Sequence, residues 1–362
     1  MYTARLSQLF LVPEQPWTQE LSRVATNETR CRFASYSEPR GRNRQRRRNL
    51  RVAWCVWLLL LARIALAQDS STFHADVALV HVDAEVRSTE GRVLTGFAKN
   101  DFRVFDNDLE QVITAFSAEE QPLDVILLFD ISGSMRSRIK KVAVAAHQGL
   151  CELQKGDRVA VIVFNTDTRL MSYLTDDMNA IERSIQSVLD LRFGGGTAIQ
   201  DAVESAVDLF QHGEIRKDRR RAVLVITDNN GRPNHHQTAI TEKYWESDAI
   251  LCGLITGHHK SLADLLHSSL PSLYGGIDDI VEKTGGDLIP SEDLATQLPE
   301  MMHRLRSRYS LYYRLPEGVP NVTRTIRVEL TPEAQKRYQG ARVAARTGYR
   351  LGTRQEDGFT RR

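Results

Sequence analysis

The stretch Val125-Ile126-Leu127-Leu128-Phe129-Asp130-Ile131-Ser132-Gly133-Ser134 decides the fold. Five apolar residues in a row mark a strand buried on both faces, because a half-exposed strand would alternate. At its carboxyl end Asp130, Ser132 and Ser134 form a D-x-S-x-S string. Downstream, Ile139, Val142, Ala143, Ala146, Leu150 and Leu153 recur at helical spacing, and Gly156 stops that helix. Residues 159–164 read as a second buried strand and residues 168–174 as an edge strand. Helices are predicted over 176–191, with Ile181, Ile185 and Val188 inward, and over 198–210. Strands at 222–227 and 250–256, a helix at 277–284, a strand near Leu288 and a helix at 293–306 complete the series. Such alternation predicts an α/β fold, a Rossmann-like, doubly wound and mainly parallel sheet, over about residues 120–308.

The flanks carry a different rhythm. Val80, Val82, Ala84 and Val86 alternate with His81, Asp83 and Glu85, which predicts a half-buried antiparallel strand over 77–86. Residues 102–105 and 112–116 look alike, with Asp106-Asn107-Asp108 as a turn, and 310–315, 325–330 and 342–347 are strand-like. Neither flank alone offers enough strands for a domain. The two are therefore expected to join into one antiparallel β domain, with the α/β domain inserted between them. The expected organisation is a leader at 1–67, an N-terminal β region at 68–119, the α/β domain at 120–308, a C-terminal β region at 309–350 and a tail at 351–362.

Charge is divided along the chain. Residues 1–67 hold twelve arginines, no lysine and four glutamates, a balance of +8; of 48 basic and 46 acidic residues in all, 36 and 42 remain, a balance of −6. A mildly acidic body does not offer the basic face that nucleic acid requires, so no nucleic-acid partner is expected. The leader instead has the order of a secretory signal: an arginine-rich run at 40–51, an apolar run at 52–62, and Ala65 and Ala67 in an A-x-A pattern before Gln68. Eleven apolar residues followed by Arg63 fall short of the roughly 20 that a spanning helix needs. The expected product is secreted or periplasmic after cleavage near 67/68, touching the membrane only transiently; the alternative is an uncleaved N-terminal anchor. Because 1–49 is long for such a signal, translation is expected to start near Leu50 or Val52, or just upstream. Cleavage would leave Cys151 and Cys252, which read as buried free thiols rather than a disulfide framework.

Five oxygen-bearing residues then stand out: Asp130, Ser132, Ser134, Thr197 and Asp228. Thr197 closes the Gly194-Gly195-Gly196 loop and opens a helix, and Asp228 ends the fourth strand. In a doubly wound sheet of order 3-2-1-4-5-6 the first and fourth strands are neighbours where the winding reverses, and ligands bind at that switch point. Asp130 and Asp228 should thus face one another across the crevice, with three hydroxyls completing an all-oxygen pocket. Hard cations such as Mg²⁺, Mn²⁺ or Ca²⁺ prefer such donors. Each piece also has an ordinary reading: Ser and Asp form turns, Thr197-Ala198-Ile199-Gln200 fits a helix capping box, and Asp228-Asn229-Asn230-Gly231 makes a turn. Only the joint placement of all five at one sheet edge points to a metal.

Asp130-Ile131-Ser132-Gly133-Ser134-Met135, Gly195-Gly196-Thr197, Ile226-Thr227-Asp228 and Thr284-Gly285-Gly286 together resemble the von Willebrand factor A (VWA) family over about 120–308. More narrowly, Asp101-Phe102-Arg103-Val104-Phe105 and Gly348-Tyr349 make residues 73–350 similar to VWFA-related proteins of Acidobacteria. The resemblance implies a metal-ion-dependent adhesion site (MIDAS). There Ser132, Ser134 and sometimes Thr197 touch the cation directly, and Asp130 and Asp228 act partly through water. It implies a binding protein, in adhesion or envelope assembly, whose cation grips a Glu or Asp carboxylate of a protein partner. One departure is that the family often has Asp-Gly where Asn229 and Asn230 precede Gly231 here.

A competing class is a metal-dependent hydrolase acting on phosphoesters. Arg136, Arg138 and Arg192 lie near the string, but no convincing general base or second carboxylate cluster accompanies them, so no catalytic residue is assigned. A G-x-x-x-x-G-K-[ST] phosphate loop is also missing from the sequence. Two histidine pairs, His235-His236 and His258-His259, follow the fourth and fifth strands. They are expected on the rim, either as solvated loop residues or as groups tuning an acidic partner's affinity between pH 5.5 and 7.5, values that bracket the imidazole pKa of roughly 6.5.

Overall fold

The structure is a computed structural model and describes residues 78–211, 219–231, 236–257, 276–316 and 322–350, apart from the side chains of Ile139 and Ala143. All of these fall within one unit, Ala75–Arg362. The leader with its expected signal, the tail, and His235, His258 and His259 lie outside the described residues. Among the described residues no helix is long and apolar enough to cross a membrane.

The N-terminal flank supplies β1 (Leu79–Arg87), β2 (Phe102–Asp106), β3 (Leu109–Gln111) and β4 (Ile113–Ser117). The central region follows as β5 (Leu123–Asp130), α1 (Ile139–Cys151), β6 (Arg158–Phe164), β7 (Thr168–Thr175), α2 (Met178–Leu189) and α3 (Ile199–Gln211). It continues with β8 (Arg220–Thr227), α4 (Gln237–Glu246), β9 (Ala249–Ile255), α5 (Asp278–Thr284), β10 (Leu288–Pro290) and α6 (Leu294–Arg306). The C-terminal flank adds β11 (Tyr309–Arg314), β12 (Thr323–Leu330), α7 (Pro332–Arg337), β13 (Arg342–Ala345) and β14 (Gly348–Arg350).

The six-stranded sheet runs β10-β9-β8-β5-β6-β7, parallel throughout except for the antiparallel edge strand β7. Its cause is visible in β5, whose eight residues are all buried. Odd positions (Leu123, Val125, Leu127, Phe129) pack with α1, α2 and α6, while Ile126 and Leu128 pack with α3, α4 and α5. A period of two thus serves both faces, and each such buried side chain contributes about 1.5–3 kcal/mol. The doubly wound α/β expectation holds, and β5 and β8 are the neighbours at which the winding reverses.

The flanks interleave. β1, from before the α/β region, pairs antiparallel with β11 and β13 from after it, and β11 pairs with β4. A second sheet runs β14-β12-β2-β3 and likewise mixes the flanks. Val82, Val104, Leu311, Ile326 and Tyr349 are buried in one core drawn from both sheets. Strand β3, strand β14 as a separate element, and helix α7 go beyond what the sequence pattern predicts.

Two expectations need correction. β1 is not half-buried: Asp83 and Glu85 on its polar face are also buried. That face carries ion pairs, Asp83 to Arg220 of β8 at 2.9 Å and Glu85 to Arg304 of α6 and Arg308 at 2.8 and 3.1 Å. Alternation therefore records two chemically different contacts rather than core and water. Cys252 is buried as expected, but Cys151 is exposed. It ends α1 one position beyond Leu150, turned away from the stripe of Val142, Ala145, Ala146 and Leu150 that faces the sheet.

Candidate functional site

Asp130 is the last residue of β5, and Phe129 registers with Ile226 on β8, so the next positions along both strands are Asp130 and Thr227. The Asp130 carboxylate is held at both ends. The Ser132 amide donates to Oδ1 at 2.8 Å, and the Thr227 hydroxyl donates to Oδ2 at 2.7 Å. Ser132 and Ser134 sit at the start of a short 3₁₀ turn (Gly133–Ser137), and their Oγ atoms are 3.1 Å apart.

Thr197 is buried, two residues before α3. Its loop is fastened to the first strand's end by the Gly194 amide, which donates to Ile131 O at 3.0 Å. Asn165, just past β6, clamps the same loop: its Nδ2 donates to Gly194 O at 2.9 Å, and its carbonyl accepts from the Ala198 amide at 2.7 Å. Gly195 lies in the left-handed region at φ +82°. The capping-box reading of Thr197-x-x-Gln200 is not what forms: the Gln200 Nε2 donates to Gly276 O at 2.9 Å, and its Oε1 has no hydrogen-bond partner.

Asp228 follows β8 and is half-buried; its Oδ1 accepts from the Asn230 amide at 3.2 Å in an Asx turn. Its proximity to Asp130 is registered electrostatically, since Asp228 is among the groups raising the Asp130 pKa. Burial is the main cause of that rise, and it outweighs the hydrogen bonds from Ser132 and Thr227. Arg136 and Arg138 do not turn towards the carboxylates. Arg136 donates to Phe193 O and Arg138 to Ser134 O at 3.0 Å, so both staple backbone. His236, exposed, precedes α4.

The donor set fits a hard cation by its chemistry: two carboxylates and three hydroxyls, all oxygen. Among the described residues no three His, Cys, Asp or Glu side chains gather as a metal-holding group. The charge balance is more telling. Seven carboxylates are buried among the described residues: Asp83, Glu85, Asp101, Asp106, Asp124, Asp130 and Asp157. Six have an arginine partner, namely Arg220, Arg304, Arg337, Arg324, Arg158 and Arg306 in that order once Asp130 is set aside. Asp130 is the one without a basic partner among the described residues.

Residues 125–231 match the von Willebrand factor type A domain. The VWA match thus begins inside β5 and ends just past Asp228. No curated protein matches the chain. Among solved structures, an aerotolerance-related membrane protein from Bacteroides fragilis with multiple mutations to serine is 19% identical, with a TM-score of 0.39 over 51% of this chain and 98% of that one. A von Willebrand factor type A protein from Catenulispora acidiphila is 14% identical, with a TM-score of 0.40 over 70% of this chain and 75% of that one. A proximal thread matrix protein from the mussel byssus, with a zinc-occupied MIDAS motif, is 18% identical, with a TM-score of 0.39 over 56% of this chain and 50% of that one. Thr227, Asn229 and Asn165 add to this candidate site what sequence reasoning missed. Their only signal is position, each lying at or just past the end of a buried strand.

Proposed function

We propose that this is an exported, non-enzymatic VWA protein that binds a divalent cation through Asp130, Ser132, Ser134, Thr197 and Asp228 and uses it to bind a Glu or Asp carboxylate of a protein partner. The observation that carries this reading is Asp130 itself: a buried carboxylate at the switch point of the sheet, oriented by the Ser132 amide and the Thr227 hydroxyl and with no basic partner among the described residues. A buried charge is costly unless it is paired or coordinates a metal. Mg²⁺, with Mn²⁺ or Ca²⁺ as alternatives, would supply that countercharge together with an open coordination position. With the neutral hydroxyls touching the cation directly and the two carboxylates acting partly through water, the ion would keep residual positive charge for an incoming acidic group. Thr227 and the Ser132 amide hold the Asp130 carboxylate in place before any ligand arrives.

Two of the three nearby arginines, Arg136 and Arg138, donate to backbone carbonyls rather than face the carboxylates, which disfavours the phosphoester hydrolase, whose chemistry usually adds a second metal or an arginine clamp. The division into β regions at 68–119 and 309–350 around a VWA domain at 120–308 belongs to the same proposal, as does kinship with VWFA-related proteins of Acidobacteria. The strand exchange between β1, β11 and β13 supports the first. The test is crosslinking and pull-down from native envelope extract, paired with a p-nitrophenyl phosphate assay in Mg²⁺. The expected result is capture that is lost with EDTA and lost in Asp130→Ala, with no turnover. Capture indifferent to both, or Mg²⁺-dependent hydrolysis that disappears in Asp130→Ala, overturns the reading.

A further inference from the structure

We infer that Asn229 is a positioning residue for this cation site, setting Asp228 from the far side by anchoring it to the segment that opens α5. The inference rests on the reading of Asp130 and Asp228 as cation-binding residues. Asn229 follows Asp228 directly and sits at φ +59°, in the left-handed region where asparagine is among the few side chains tolerated. Its backbone amide donates to Thr227 Oγ1 at 3.0 Å, the same hydroxyl that donates to Asp130 Oδ2. Its side-chain amide is used at both ends. Oδ1 accepts from the Ile277 amide at 3.2 Å, and Nδ2 donates to Asp278 Oδ2 at 2.9 Å.

The Gly276–Asp278 segment is a common anchor. Gln200, three residues after Thr197, donates to Gly276 O, while Asn229, one residue after Asp228, holds Ile277 and Asp278. Thr197 and Asp228 come from elements far apart in sequence, yet both are registered against three consecutive residues. Gly276 is buried, and a Cβ there would lie 2.6 Å from Asp278 Oδ2 and 3.0 Å from both terminal amide atoms of Asn229. The absence of a side chain at 276 is what lets the asparagine dock. A glycine at 229 would accept the positive φ equally well but could not make either side-chain bond.

Outer-shell partners of this kind change metal affinity by about 10- to 100-fold when removed. The experiment is calorimetric titration of the purified full chain with Mg²⁺ and Mn²⁺, comparing wild type, Asn229→Gly, Asp228→Ala, the double variant and Asp130→Ala, with thermal unfolding alongside. Asn229→Gly is expected to weaken binding by about 10- to 100-fold. It should have no further effect in the Asp228→Ala background, because it acts through that carboxylate. Gly276→Ala, which displaces the amide without touching 229, should weaken binding in the same way. Wild-type affinity in a folded Asn229→Gly protein, or an equal loss with and without Asp228, overturns the inference while leaving the cation site standing. Wild-type affinity in Asp130→Ala removes the site and the inference together.

Discussion

Thr227 Oγ1 stands 2.7 Å from Asp130 Oδ2 and donates to it across the β8–β5 pair. The same hydroxyl accepts the Asn229 amide at 3.0 Å, so one group ties the end of β5 to the turn that leaves β8. Both residues are buried, so water does not substitute freely for either contact.

Replacing Thr227 by Val keeps the shape and removes the hydroxyl. Asp130 Oδ2, buried, then loses a donor at a cost of about 1–3 kcal/mol, and the half-buried Asn229 amide loses an acceptor. Cation affinity should fall by about 10- to 100-fold, whereas Thr227→Ser should retain it. Titration calorimetry with Mg²⁺ on both variants checks this; equal affinities for Val and Ser at 227 would contradict it.

Arg220 tests the joint between β1 and the central sheet. Its guanidinium, 1% exposed, bonds both Asp83 oxygens and the carbonyls of Leu305, Arg306 and Arg308. Arg220→Ala strands Asp83 in the interior and should cost about 3–5 kcal/mol in urea unfolding. Combining Arg220→Met with Asp83→Leu removes both charges and should recover most of that loss. A single variant as stable as wild type would show that the pair contributes nothing.

His81 gives the pH dependence. Its Nδ1 is 2.6 Å from Asp248 Oδ2, at the turn before β9, and its Nε2 is 3.3 Å from Asp83 Oδ1, off the hydrogen-bond line. Arg220 and Arg346 face the same carboxylates, and Tyr312 stacks on the ring at 4.8 Å. Burial alone would lower the His81 pKa, but Asp248 and then Asp83 more than reverse this and raise it well above 6.5. A raised folded pKa means that the stabilisation is complete below about pH 6.5, the ordinary imidazole value. It is lost as pH rises through the folded value. Unfolding free energy measured from pH 6 upward should therefore decline in wild type and decline less in His81→Gln; parallel curves would contradict the assignment.

Much of the fold was written in local pattern. The all-apolar Val125–Phe129 announced a strand with two buried faces, and the helical stripes from Ile139 and Ile181 announced what covers them. From the strand order alone, Asp130 and Asp228 could be assigned to one crevice, because the switch point follows from topology. The burial of Asp83 and Glu85 was not legible, since alternation is the same whether the polar face meets water or arginines contributed from residues 220, 304 and 308. In the sequence Thr227 and Asn229 read only as strand end and turn. Their roles depend on partners, Asp130 and Ile277–Asp278, that lie about 97 and 48 residues away in the chain.

Completion of the Asp130 carboxylate by a divalent cation is read out by titration calorimetry of the full chain with Mg²⁺, wild type against Asp130→Asn. Burial and Asp228 raise the Asp130 pKa, so its ionised form is a cost to the metal-free fold that asparagine should relieve. The account predicts saturable, EDTA-reversible binding to wild type, with stabilisation against heat of about 2.7 kcal/mol at a hundredfold excess over Kd. It predicts a folded Asp130→Asn protein that neither binds nor is stabilised. Equal binding by both proteins, or a wild type that takes up no cation, would contradict it.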